Sequence, residues 1–142
     1  MKFKFVAIGV LLVMVLGLTA CSSGNITVQF TCDDFTNRQH ITHYINASEG
    51  DTIEITLCAN PTTGFEWSEV GISDASTIEL VAREFHAPGS TDNPPAPGTP
   101  GIEELTFKVL EKGESQVYME YSQPWDGGEK AVWTYEMTVM VK

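Results

Sequence analysis

Trp133-Thr134-Tyr135-Glu136-Met137-Thr138-Val139-Met140-Val141 decides the fold, because Trp133, Tyr135, Met137, Val139 and Val141 all fall on one parity. Successive side chains of an extended backbone point to opposite faces, so an apolar period of two marks a strand with one buried face. The same period recurs upstream. Val117, Met119 and Tyr121 form one inward set, and Leu105, Phe107 and Val109 alternate with Thr106 and Lys108. Ile53, Ile55 and Leu57 alternate with Thr52, Glu54 and Thr56 after a Glu49-Gly50-Asp51 turn, and Glu111-Lys112-Gly113-Glu114 supplies another turn. Ile41, His43 and Ile45 follow the pattern, as does Ile26-Thr27-Val28-Gln29-Phe30. No stretch carries a capped stripe of period 3.6. The expectation is an all-β domain of seven or eight strands, arranged as two antiparallel sheets packed face to face.

Length and charge narrow the role. The chain has 142 residues, 42% of them apolar and 19% charged. That excludes wholesale disorder and suits one domain with its own core. Lys2 and Lys4 precede an apolar run from Phe5 to Leu18, which ends in Leu18-Thr19-Ala20-Cys21. This is the pattern of a lipoprotein signal peptide over residues 1–20, with Cys21 the lipid-modified first residue of the mature chain. The run is short for a membrane span, which favours lipidation over an uncleaved anchor. Residues 21–25 then read as lipid anchor and tether, and 26–142 as a single extracytoplasmic domain. Past residue 20 there are six basic and 19 acidic residues, a net charge of −13. Such a surface repels phosphate backbones, so nucleic acid is not an expected partner.

If lipid consumes Cys21, Cys32 and Cys58 remain as an even pair in an oxidising compartment. Parity places Cys32 with Ile26, Val28 and Phe30 and Cys58 with Thr52, Glu54 and Thr56, so a disulfide and two separately buried thiols both stay open. His40, His43 and His86 lack metal-ligand spacing, and neither metal nor cofactor is expected. No nucleophile, base and oxyanion donor can be nominated together, which argues against an enzyme.

Three connections are more constrained than plain turns require. Asn60-Pro61-Thr62-Thr63-Gly64-Phe65-Glu66-Trp67 follows a strand directly; Pro61 fixes its own φ, and Gly64 permits a positive one. Pro88 to Gly101 holds five of the seven prolines. Tyr121-Ser122-Gln123-Pro124-Trp125-Asp126-Gly127-Gly128 carries a Trp that a sheet core would not easily hold. Taken singly, each reads as a well-made turn, a flexible connection or a capping aromatic. Taken together, on strands able to gather their ends at one pole, they form a composite surface.

These residues resemble the chagasin family of cysteine peptidase inhibitors. The resemblance runs from about Ile41 to Val141. It rests on Asn60-Pro61-Thr62-Thr63-Gly64-Phe65 with Trp67, on Gly98-Thr99-Pro100-Gly101 ahead of Leu105-Thr106-Phe107, and on Pro124-Trp125. It implies an immunoglobulin-like β-sandwich that pushes three loops into the cleft of a papain-like cysteine peptidase. Thr62 and Thr63 would then sit at the catalytic cysteine, Gly98 to Gly101 along one wall, and Trp125 on the other. Two positions depart from the family pattern. Gln123 stands where Arg is usual, removing a charge-assisted contact or a loop brace, and Pro100 stands where Gly is common, removing an N–H.

The implied mechanism is reversible, tight blockade by one monomer: a turn ordered in advance fills the cleft without presenting a cleavable carbonyl geometry. The competing reading is a non-inhibitory sandwich module for adhesion or envelope assembly.

Overall fold

The computed structural model describes residues 23–89 and 96–142; the leader, Cys21 and residues 90–95 lie outside them. The alternating segments become strands in two sheets. In chain order they are β1 (Asn25–Phe30), α1 (Cys32–Arg38), β2 (His40–Ala47), β3 (Thr52–Ala59), a 3-10 turn (Pro61–Thr63), β4 (Glu66–Trp67), β5 (Gly71–Ile72), β6 (Ile78–His86), β7 (Gly101–Val109), β8 (Gly113–Ser122) and β9 (Trp133–Val141). One sheet has the order β1-β3-β7-β6; the other runs β2-β9-β8-β4, with β5 also on β8. Seven strands have six residues or more, and β4 and β5 add two short ones.

The sandwich reads as expected, but its pairing does not. β1 runs parallel to β3 and β2 parallel to β9, so both sheets are mixed rather than antiparallel. Alternation reports which face is buried and carries no information about strand direction. The inward sets meet as expected: Ile53, Ile55, Leu57, Leu105 and Phe107 are fully buried, as are Val117, Met119, Tyr135, Met137 and Val139. Burying a side chain of this size contributes roughly 1.5–3 kcal/mol. Every buried apolar residue among the described ones lies between Phe35 and Val141.

Two elements escaped the period argument. β6 contains a bulge at Val81, whose neighbours Leu80 and Ala82 pair with the consecutive Phe107 and Thr106; the extra residue breaks the alternation. Helix α1 carries a single buried residue, Phe35, and so shows no stripe. Its signature is the capping box: Asp34 N–H donates to Thr31 Oγ1 at 3.3 Å, and Thr31 N–H donates to Asp34 Oδ2 at 2.9 Å.

The helix also settles the cysteines. Extended backbone ends at Phe30, so strand parity does not reach Cys32, and Leu57, Cys58 and Ala59 are all buried. Cys32 and Cys58 form a disulfide with their Cα atoms 5.0 Å apart, fastening α1 to the end of β3.

Candidate functional site

Register brings three connections to one pole. Ala59 of β3 opposes Gly101 of β7; in the other sheet Tyr121 opposes Trp133, and Ser122 opposes Glu66. L1 (residues 60–65) therefore leaves the same end at which L2 (87–100) enters β7 and L3 (123–132) joins β8 to β9. Helix α1 crosses this pole on its way from β1 to β2.

L1 is built by its own residues and then held by others. Pro61 opens the 3-10 turn. Thr63 N–H donates to Asn60 O at 3.1 Å and Gly64 N–H to Pro61 O at 3.0 Å. The Thr63 hydroxyl also donates to Asn60 O, at 2.7 Å, and the Thr62 hydroxyl to Asn60 Oδ1 at 2.6 Å. Gly64 ends the turn at φ +82°, a conformation that costs glycine little. From outside the loop, Asn60 N–H donates to the Tyr121 hydroxyl at 2.6 Å, and the Asn60 side-chain amide donates to Gly98 O at 2.7 Å, tying L1 to L2. The Trp67 indole donates to Cys58 O at 2.9 Å. Arg83 pairs with Glu103 and donates to the carbonyls of Trp67 and Ser68, each at 2.9 Å. Both ends of L1 are thus fixed to the sheets. Burial pushes the Tyr121 phenol up, against the opposing pull of the Asn60 N–H, so the ring stays neutral beneath the loop.

L3 meets L1 through Trp125. A Cβ on Gly64 would lie 2.5 Å from Trp125 Cη2, so the indole rests on the L1 backbone where only glycine leaves room. Trp125 nonetheless remains 49% exposed. Gln123 does brace the loop: its N–H donates to Glu129 O at 2.8 Å, and its Oε1 accepts from Glu129 N–H at 3.0 Å. The Lys130 ammonium donates to the carbonyls of Gln123 and Trp125. The brace expected to vanish with the usual arginine is therefore present, made by an amide and a lysine.

Within L2, Thr99 N–H and hydroxyl both donate to Ala96 O, at 3.1 and 2.6 Å. Pro61, Thr62, Thr63, Gly98, Thr99, Pro100, Pro124 and Trp125 are exposed along this edge, Asn60, Gly64 and Gln123 partly so. Two predicted contact residues sit differently. Phe65 is half-buried against Tyr121, and Gly101 is buried as the first residue of β7, where a Cβ would collide with His86 O.

Sequence reasoning missed what lies underneath. Phe65, Tyr121, Trp133 and Phe35 stack in one column, with ring centroids 5.7, 4.8 and 5.1 Å apart in that order. The column runs from L1 to α1. Tyr121 and Trp133 were visible as inward strand residues; their stacking needed the register of β8 and β9. Arg83, on the bulged strand, left no sequence signal. The edge offers hydroxyls, carbonyls and one large exposed ring on a rigid base, equipment for recognition rather than bond making.

Comparison with known proteins agrees. Residues 46–139 match the family described as "Chagasin family peptidase inhibitor I42". Amoebiasin-2 of Entamoeba histolytica is 29% identical over 100 residues, covering 69% of this chain and 76% of that protein. Amoebiasin-1 of the same organism is 34% identical over 84 residues, covering 57% and 74%. Among solved structures, the cysteine protease inhibitor EhICP2 from Entamoeba histolytica superposes with a TM-score of 0.62 at 22% identity, covering 84% of this chain and 97% of that one. PbICP-C, solved in complex with falcipain-2, gives 0.55 at 18%, covering 82% and 99%. With the family match spanning well over half its residues, this chain belongs to the chagasin family of peptidase inhibitors.

Proposed function

We propose that the three-loop edge is the surface with which this chain inhibits papain-like cysteine peptidases, reversibly and as a single protomer. The carrying observation is that Asn60 joins L1 to L2 while Trp125 lies on Gly64, so three loops present one continuous edge. Thr62 and Thr63 project from its centre, on a turn whose hydrogen bonds are already made. Ordering a residue's backbone costs about 1–2 kcal/mol, so a turn fixed before contact avoids several kcal/mol on binding. Trp125, exposed when free, is the natural anchor for the cleft wall. A structural neighbour named as a cysteine protease inhibitor, EhICP2, and another, PbICP-C, solved in complex with falcipain-2, support the target class.

Titrating active papain with residues 22–142 while following hydrolysis of a small substrate tests this reading. Stoichiometric loss of activity is expected; unchanged rates at micromolar protein would favour the adhesion reading. The sequence pattern at Leu18 to Cys21 supports anchoring by lipid outside the cytoplasm. Cys21→Ser should then move the protein from the membrane to the soluble fraction, and retention on the membrane would defeat the lipid anchor.

A further inference from the structure

L1 stands between two grooves of opposite character. On one flank, Pro61, Phe65 and Phe85 share a groove with Glu66 and Glu69, and the Arg83–Glu103 ion pair crosses it. Charged groups make up much of its lining. The other groove, of about 360 Å³, lies between L1, L3 and the start of α1. Its walls are the Cys32–Cys58 disulfide, Phe65, Tyr121, Trp133 and Val132, with Asn60, Thr63, Pro100 and Glu129 at the mouth.

Resting on the inhibitory reading, we propose that this second groove receives one large apolar side chain from the rim of the peptidase cleft. Contact is then reciprocal: the inhibitor enters the cleft with L1 and Trp125, and the peptidase enters the inhibitor beside α1. Continuity with the edge fixes the occupant. Asn60, Thr63 and Pro100 border the groove and also belong to the loops that face the peptidase, so a wedge seated by those loops carries the groove into the interface. An apolar groove left unfilled there would forfeit dispersion contacts along its whole lining. The groove is preformed, since a disulfide and the stacked column hold its walls. The asymmetry of the flanks selects an apolar guest on this side and none on the other.

The test uses residues 22–142, which contain the entire described sandwich, with papain as the probe. Val132→Trp fills the groove from the base of L3 and leaves the backbone bond from Val132 N–H to Tyr121 O in place. It should raise the inhibition constant tenfold or more with the melting temperature shifted by only a few degrees. In a wild-type complex with methyl-labelled valine and threonine, the Val132 methyls should show intermolecular NOEs to papain side-chain protons. The Thr62 and Thr63 methyls report contact through L1 independently. NOEs at the threonines but none at Val132, or a folded Val132→Trp variant that inhibits like wild type, would overturn the groove while leaving the loop reading intact. Loss of contact at the threonines would overturn the loop reading itself. If Val132→Trp fails to fold, the NOE pattern alone decides.

Discussion

L1 and L3 both face outward from one pole, yet they are held in opposite ways. Beyond the hydrogen bonds of its own turn, L1 takes restraints from elsewhere: the Tyr121 hydroxyl, the Gly98 carbonyl, the Trp67 indole bond to Cys58, the Arg83 clamp and the ring column rooted in α1. L3 is braced mainly by itself, through Gln123 with Glu129 and Lys130 with Trp125. The difference predicts where each loop is vulnerable. L1 should fail when residues far along the chain are changed, whereas L3 should respond chiefly to changes in its own residues.

Removing the disulfide gives the largest effect. A bridge across a separation of 26 residues contributes about 3–4 kcal/mol by the loop-entropy account. Cys32→Ala with Cys58→Ala should lower unfolding free energy by about that much, read by chemical denaturation, and the melting temperature by roughly 10 °C. The comparison is sharpened by amide exchange in the same variant. Protection at Gly64 of L1 should fall more than protection at Gly128 of L3, because α1 carries the far end of the column under L1. Equal losses in both loops would break the distinction.

A pair of single substitutions probes the same contrast at smaller scale. Tyr121→Phe removes the acceptor for Asn60 N–H and leaves a half-buried donor unpaired, a cost of about 1–2 kcal/mol. Affinity for papain should drop about tenfold through a loosened L1. Gln123→Ala removes the acceptor for the exposed Glu129 N–H, which water can satisfy, so affinity should change less than threefold. Reversal of this order would place the stronger dependence in L3.

The same division explains what the sequence made legible. The inward sets of β3, β7, β8 and β9 were readable because each keeps one parity over several residues, and a buried face enforces that pattern whatever the strand direction. β6 was hidden by one bulged residue at Val81, and the parallel partners of β1 and β2 depend on connections that period says nothing about. At the site, the tips of L1 and L3 were legible because proline, glycine and tryptophan act locally. Their supports were not. Arg83 reaches the backbone of Trp67 across 16 positions, and Tyr121 reaches Asn60 across 61. Such bonds exist only once register is set. The Cys32–Cys58 pair failed the parity argument for a related reason, since a change from strand to helix between Phe30 and Cys32 resets which way a side chain points.

The smallest effect comes from His43 in β2, whose aromatic partners Phe30 and Tyr135 are not loop residues, and it serves as a control for both loops. His43, part-buried beside Phe30, bonds through Nε2 to the Tyr135 hydroxyl at 2.7 Å. Burial holds its imidazole below the ordinary histidine range. A folded-state value below the unfolded one of about 6.5 means that the unfolded chain binds the proton first. Stability should therefore be full above pH 7 and fall as pH drops through about 6.5, until the folded form also protonates. Asp34, Asp51 and Asp74 act in a separate window. Hydrogen bonds from Thr31, from Ser48 and Gly24, and from Ser76 and Thr77 respectively hold their carboxyls below the usual range, so their contributions are lost only in stronger acid, below about pH 4. Melting curves at pH 7.5 and 5.5 should show a decline that His43→Gln abolishes. Papain affinity, proposed to reside in the loops after β3, before β7 and after β8, should be the same in wild type and His43→Gln at either pH. A His43→Gln variant that keeps the full decline would assign the slope to another group, and one that changes affinity would extend the dependence of L1 deep into β2.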